Sequence, residues 1–145
     1  MATHPRIEIF DALCGALLVH LYEQFPQRIH LEFMDLQLEQ KLEPLEPTEV
    51  QEWMDLFVDT VSWLEEEGFI RTETGTDDQD YYGVRLTMKG LAVLRAVPES
   101  VQPAPQPLIE RIKAALGSGG KIVSEEGLRV AVSTVFAAAK SLGDV

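Results

Sequence analysis

The sequence predicts a mostly helical α+β fold with one small β hairpin, followed by a helical hairpin near the C-terminus. Three observations support this prediction. Apolar residues recur at helical spacing from Val50 to Leu64. Two short apolar segments flank the polar turn 75–80, which is typical of a β hairpin. Four prolines between Pro98 and Pro107 indicate an extended linker, and helical spacing resumes beyond it.

The composition is typical of a globular protein with its own core. Of 145 residues, 46% are hydrophobic and 25% are charged, which suits one domain with or without an appendage. The single cysteine, Cys14, excludes an intramolecular disulfide and lies in an apolar helical stretch, where buried free thiols are common. The first residues lack the apolar run of a signal sequence, and no apolar stretch reaches the roughly 20 residues of a membrane helix. We therefore expect a cytoplasmic protein.

The first part of the chain is predicted to form a helix, a strand and a second helix. Pro5 suits the first turn of a helix, where no amide donor is needed. Apolar residues then recur at helical spacing from Ile7 to Leu21, which predicts one buried stripe. The alternating apolar residues of 28–33 predict a short, half-buried strand, and a short helix is expected over 34–42.

The clearest helix is predicted from Thr48 to Glu67. Thr48 and Gln51 have the spacing of a capping box at the start of this helix. Gly68 is the glycine expected directly after its end.

A β hairpin follows this helix. The segments 69–73 and 81–86 have the apolar content and the flanking turn of two paired strands. Thr87 is suited to cap the next helix, which is expected over about 88–96.

The C-terminal segment is predicted to be an amphipathic helical hairpin. A helix over 108–116 precedes a glycine-rich turn, and Ser124 is suited to cap the last helix. So short a hairpin cannot bury its apolar faces alone. We expect it to dock on its own chain or on a second copy, with a symmetric homodimer as the default. The face expected to dimerise comprises Leu128, Val132, Val135, Phe136, Ala139 and Leu142.

Two stretches of the sequence resemble winged-helix proteins of the MarR- and PadR-like families. VSWLEEEGFIR at 61–71 resembles the end of their third helix, and YGVRLTMKGLAVL at 82–94 resembles the stretch that leaves their wing. The order of predicted elements agrees over about residues 5–97. The resemblance implies a winged helix-turn-helix domain in residues 1–97 with a β hairpin as its wing. The linker 98–107 and the helical hairpin 108–143 would follow it.

The distribution of charge argues against DNA binding through the predicted third helix. The net charge is −12. Residues 1–106 carry 7 Lys and Arg against 20 Asp and Glu, giving −13, while residues 107–145 carry 5 against 4, giving +1. DNA-reading helices present Arg, Lys, Asn or Gln on their outer face, but residues 48–67 include no Lys or Arg. Their carboxylates would repel phosphates with no counterion release to offset the repulsion.

The acidic helix favours a dimeric, non-enzymatic winged-helix adaptor that binds another protein. The resemblance implies a bacterial regulatory or multi-protein system as its setting. Its acidic face is either a solvated helix surface or a docking surface for a basic partner. Trp63 lies off the apolar stripe, so it is either an exposed interface anchor or packed under the wing or another helix. The expected partner contacts are Glu49, Glu52, Asp55, Asp59, Trp63 and Glu66.

The alternative is a transcriptional regulator that contacts DNA by another surface. Arg71 and Arg85 in the predicted wing are the expected DNA contacts in that case. The basic C-terminal segment is a second possible surface.

No sequence pattern predicts a catalytic, metal or cofactor site. His4, His20 and His30 are scattered and lack zinc-ligand spacing. The acidic run 77–80 lacks the central glycine and the terminal Glu of a calcium loop. The glycine-rich segment 117–121 lacks the spacing of a phosphate-binding loop. We therefore expect no enzymatic activity, no cofactor and no metal.

Overall fold

The computed structural model describes residues 6–39, 47–75, 80–96, 107–116 and 125–143. These residues form a mostly helical α+β structure with a small antiparallel sheet, which confirms the predicted class. The helices are α1 (Arg6–Gln24), α2 (Phe33–Glu39), α3 (Pro47–Glu66), α4 (Met88–Arg95), α5 (Leu108–Leu116) and α6 (Glu125–Gly143). The strands are β1 (Ile29–Glu32), β2 (Ile70–Arg71), β3 (Thr74–Gly75) and β4 (Asp80–Leu86). Within the described ranges, none of the helices combines the length and apolarity needed to cross a membrane.

Helix α1 is buried on nearly all sides. Every residue from Asp11 to Val19 is buried, as expected of a helix that is apolar around its whole circumference. It contacts α3 and β4 as well as α5 and α6, so it lies between the N-terminal part and the C-terminal helices. The single stripe predicted from the sequence was too narrow, because a second layer of helices covers α1. Ile7, which was assigned to that stripe, is 61% exposed.

The sheet is antiparallel and has β4 at its centre. Strand β1 pairs with β4 so that Leu31 lies opposite Tyr81. Strands β2 and β3 also pair with β4, and they replace the single strand predicted over 69–73. Gly83 of β4, which lies against Glu73 between the two short strands, has a φ of +67°. Because this conformation is not extended, it accounts for the interruption of the ladder.

Gly68 and Thr87 fix the connections around the sheet, as the sequence predicts. Gly68 has a φ of +85°, the left-handed conformation that lets the chain leave α3 and enter β2. The Thr87 hydroxyl donates to the carbonyl of Gly68 and accepts a hydrogen bond from the Gly90 amide. One side chain therefore caps α4 and holds the end of α3 beside it.

Helices α5 and α6 pack against α1 and α4 of the same chain. Gly15 permits this close approach, because a Cβ atom there would lie 2.9 Å from Leu128 and 3.3 Å from Ile112. The sequence left open whether this segment docks on its own chain or on a second copy. In the structure it covers α1 of its own chain.

Two aromatic clusters mark different parts of the core. The sheet-side cluster consists of Phe33, Phe57 and Tyr81, all of them buried. Its ring centroids lie 5.7 Å apart between Phe33 and Phe57 and 6.1 Å apart between Phe57 and Tyr81. This cluster joins α2, α3 and β4.

The second, or C-terminal, cluster consists of Phe10, Trp63, Phe69 and Phe136. The Trp63 centroid lies 5.5 Å from that of Phe10 and 4.9 Å from that of Phe136. Phe69 is buried, whereas the other three rings are half-buried. This cluster joins α1 and α3 to α6.

Some predicted boundaries differ from the observed ones or lie outside the described residues. Helix α2 begins one residue earlier than predicted, with Leu36 buried. Helix α3 begins at Pro47, so Thr48 lies inside its first turn rather than before it. The segments 40–46, 76–79, 97–106 and 117–124 lie outside the described residues, and they include most of the predicted linker and the predicted cap Ser124.

Candidate functional site

The outer face of α3 carries a row of carboxylates. We define the acidic stripe as Glu52, Asp55, Asp59 and Glu66, which are all exposed. Their spacing by three, four and seven residues places them on one side of the helix. The other side of α3 buries Trp53, Phe57 and Leu64 against the core. Packing of that apolar side therefore holds the carboxylates towards solvent.

The charge of the acidic stripe is not neutralised by ion pairs within the described part of the chain. None of the ion pairs Arg28–Glu73, His30–Asp80 and Lys113–Glu110 involves a residue of the stripe. Asp55 accepts a hydrogen bond from Gln51, a neutral side chain. Glu65, beside the stripe, instead accepts hydrogen bonds from the amide and hydroxyl of Thr72. The acidic stripe therefore presents its negative charge to solvent.

The other two residues predicted to contact a partner are placed differently. Glu49 is half-buried, and its side chain is not without an interaction partner in the structure. Trp63 lies in the C-terminal cluster, against Phe10 of α1 and Phe136 of α6. Of the two positions considered for Trp63, the structure has the one packed under another helix.

The two arginines predicted to contact DNA lie side by side. Arg71 in β2 is directly opposite Arg85 in β4. Arg71 is exposed and Arg85 is half-buried. Two like charges at one register position repel each other, so this pair would favour a nearby anion.

Most residues of the predicted dimerisation face lie inside the chain. Leu128, Val132, Val135 and Ala139 are buried. Phe136 is half-buried in the C-terminal cluster, and the side chain of Leu142 lies outside the described set. A single chain therefore already covers the apolar face of α6.

A histidine and two carboxylates, which were not predicted to form a site, meet on the sheet. His30, Glu32 and Asp80 each offer a ligand atom, and these atoms all lie within 4.8 Å of one another. His30 Nε2 is 3.0 Å from Asp80 Oδ1. The Tyr82 ring stacks on the imidazole with centroids 4.5 Å apart. The two-residue spacing of His30 and Glu32 indicates that they share one face of β1. Only the pairing of β1 with β4 shows that Asp80 lies beside them.

The environments of the buried Cys14 thiol and Thr60 hydroxyl do not favour a catalytic nucleophile. Burial raises the pKa of the Cys14 thiol well above its ordinary value, and the negative charge of Asp11 raises it further. Cys14 is therefore a neutral core residue at physiological pH, whereas a thiol nucleophile needs a lowered pKa. The Thr60 hydroxyl is also buried, with no hydrogen-bond partner among the described residues.

Comparisons with known proteins give no relative from which a function could be transferred. No protein-family model, no curated protein and no solved structure matches the chain. The acidic stripe and the arginine pair are therefore the features on which a function is proposed.

Proposed function

We propose that the chain is a non-enzymatic, winged-helix-like adaptor that binds a basic segment of another protein through the acidic stripe. The observation that carries this proposal is the exposure of four carboxylates without a compensating ion pair among the described residues. Complementary charge across an interface accelerates encounter and selects the partner. A Lys- or Arg-rich segment is the chemistry that fits.

The order of elements supports the winged-helix part of the proposal. Helix α1, strand β1, helices α2 and α3, and a sheet centred on β4 follow one another as in the families that the sequence resembles. Helix α3 takes the place of their third helix. Since winged helices also serve as protein-binding modules, this placement does not by itself imply DNA recognition.

The acidic stripe favours a protein partner over DNA at this helix. Carboxylates facing a phosphate backbone would lose their hydration and gain only repulsion. The same carboxylates facing Lys or Arg side chains would gain charge-assisted hydrogen bonds.

A homodimer remains part of the proposal. The apolar face of α6 is covered by α1, so a dimer must use another surface or exchange α5 and α6 between copies. Ile7 of α1 and Val130 of α6 are exposed apolar side chains available to such a surface. Light scattering measures the outcome, because a dimer has twice the 16.2 kDa of one chain. A mass of one chain at high concentration would reject the dimer.

Neutralising the stripe tests the adaptor proposal. The variant carries Glu52→Gln, Asp55→Asn and Asp59→Asn. We expect proteins that copurify with the wild-type chain from its native host, detected by mass spectrometry, to be lost from this variant. Their binding to the purified wild-type chain should weaken with added salt, because the attraction is electrostatic.

A matched control removes the same charge elsewhere. The control carries Glu23→Gln, Asp35→Asn and Glu110→Gln, at exposed positions off the stripe. It should retain the partners. Equal recovery of partners by both triple variants would overturn the role of the stripe.

A second candidate function is DNA binding through the arginine pair, which is favoured by the register that places Arg71 opposite Arg85. Titration with random-sequence duplex DNA at low salt distinguishes it from the adaptor. The adaptor proposal predicts no tight binding. Tight binding with a steep salt dependence, lost on Arg71→Ala and Arg85→Ala, would replace that proposal with the second candidate.

A further inference from the structure

We propose that His30, Glu32 and Asp80 form a binding site for one divalent transition-metal ion, for which Zn²⁺ is a suitable probe. The site is separate from the acidic stripe and does not depend on the adaptor proposal. The sequence predicts no metal site here, because only strand pairing brings residues 30 and 32 next to residue 80.

The backbone brings the three side chains to one place. Glu32 of β1 is directly opposite Asp80 of β4 in the antiparallel pair. His30 is two residues before Glu32, and alternate residues of a strand project from the same face. Ligands held by two paired strands are better fixed than ligands on a loop.

The distances suit a shared ion after a small side-chain adjustment. Zinc binds imidazole nitrogen and carboxylate oxygen at about 2.0–2.2 Å, which places neighbouring ligands of a tetrahedral site roughly 3.4 Å apart. His30 Nε2 and Asp80 Oδ1 are 3.0 Å apart, in a hydrogen bond that the ion would replace. All three ligand atoms lie within 4.8 Å of one another, so the widest separation must close by rotamer changes at the exposed ends of the side chains.

Electrostatics favours a cation between these groups. Two carboxylates that face each other across paired strands repel, which destabilises the pairing of β1 with β4. A divalent ion between the two carboxylates would offset both charges. Tyr82, stacked on the imidazole, holds the ring in the orientation that directs Nε2 at Asp80.

The donor set indicates the class of ion. Calcium and magnesium prefer oxygen ligands alone, whereas imidazole favours zinc and other first-row transition metals. Three protein ligands leave at least one coordination position for water. The His30 and Asp80 side chains are 42% and 29% exposed, so an ion could enter from solvent without opening the fold.

Calorimetric titration of the 145-residue chain with zinc tests the site. We expect one ion per chain, a shift of the His30 ring signals in NMR spectra, and a rise in Tm that a chelator reverses. Each of His30→Gln, Glu32→Gln and Asp80→Asn should weaken zinc binding by about tenfold or more. Circular dichroism verifies that each variant is folded.

Matched controls separate this site from surface binding. Glu73→Gln removes an exposed carboxylate elsewhere on the sheet, and His4→Gln removes a histidine that is not one of the three proposed ligands. Both should bind zinc like the wild-type protein. If a ligand variant fails to fold, the visible spectrum of Co²⁺ bound to the wild-type protein reports nitrogen and oxygen coordination instead. Absence of saturable binding below the millimolar range, or unchanged affinity in the three ligand variants, would overturn the proposal.

Discussion

The sheet-side cluster and the C-terminal cluster share helix α3 but differ in burial. In the sheet-side cluster, Phe33, Phe57 and Tyr81 are all buried. In the second, Phe10, Trp63 and Phe136 are each half-buried where α6 meets α1 and α3. The core beside the sheet is therefore well buried. Where α6 packs on α1 and α3, the aromatic side chains are partly accessible to solvent. This difference in burial predicts that truncating a ring lowers the free energy of unfolding more in the sheet-side cluster than in the C-terminal cluster.

The largest effect is expected for Phe57→Ala in the sheet-side cluster. The Phe57 side chain is fully buried between two aromatic rings, so its removal leaves a cavity that its neighbours cannot fill. The free energy of unfolding should fall by about 3–5 kcal/mol, as for other fully buried Phe residues. Urea denaturation followed by circular dichroism measures it. Phe57→Leu is the control and should lose less, whereas a loss below about 1 kcal/mol for Phe57→Ala would contradict the described packing.

A smaller effect is expected for Phe136→Ala in the C-terminal cluster. This ring is half-buried, and its truncation leaves a gap that water can enter. We expect a loss of about 2 kcal/mol, together with a change in tryptophan fluorescence because Trp63 loses its nearest ring. A loss equal to that of Phe57→Ala would show that the two clusters are equally important and would remove the distinction between them.

The smallest effect is expected for Asp11→Asn, on the same side of α1 as α6. Burial raises the pKa of the Asp11 carboxyl, although Arg129 of α6 lowers it in part and Glu8 raises it. The unfolded chain therefore releases this proton at a lower pH than the folded chain. The free energy of unfolding should decline as pH rises from the ordinary value near 3.8 to the raised pKa, and then no further.

Asp11→Asn should remove this part of the pH dependence while retaining the shape of the side chain. Urea denaturation of both proteins from acidic to neutral pH measures the difference. Parallel curves for the two proteins would mean that Asp11 has the same pKa folded and unfolded. Such a result would mean that the Asp11 side chain is exposed to solvent rather than buried on the side of α1 that faces α6.

The sequence predicted those parts of the fold that depend on neighbouring residues. The apolar spacing of α3, the left-handed Gly68 and the Thr87 cap each follow from a few adjacent positions. The burial of α1 on nearly all sides was not predicted, because a single apolar stripe implies only one buried face. The signal was nevertheless present in the run from Ala12 to Val19, which is apolar on every side.

The candidate sites differ in the same way. The acidic stripe was predictable because one helix and its spacing define it. The approach of His30 to Asp80 joins residues 50 positions apart and depends on strand register. The register of β2 with β4 likewise decides that Arg71 lies opposite Arg85. Apolar periodicity does not fix which residues of two strands face each other.

The packing of α5 and α6 against Gly15 affects how α1 folds during translation. Gly15 meets Ile112 and Leu128, which leave the ribosome long after α1 has done so. One apolar side of α1 therefore has no intramolecular cover until α5 and α6 have been synthesised. Contacts between such distant segments form slowly and leave apolar surface exposed to aggregation in the meantime. During translation, α1 therefore depends on α5 and α6 to cover this apolar side.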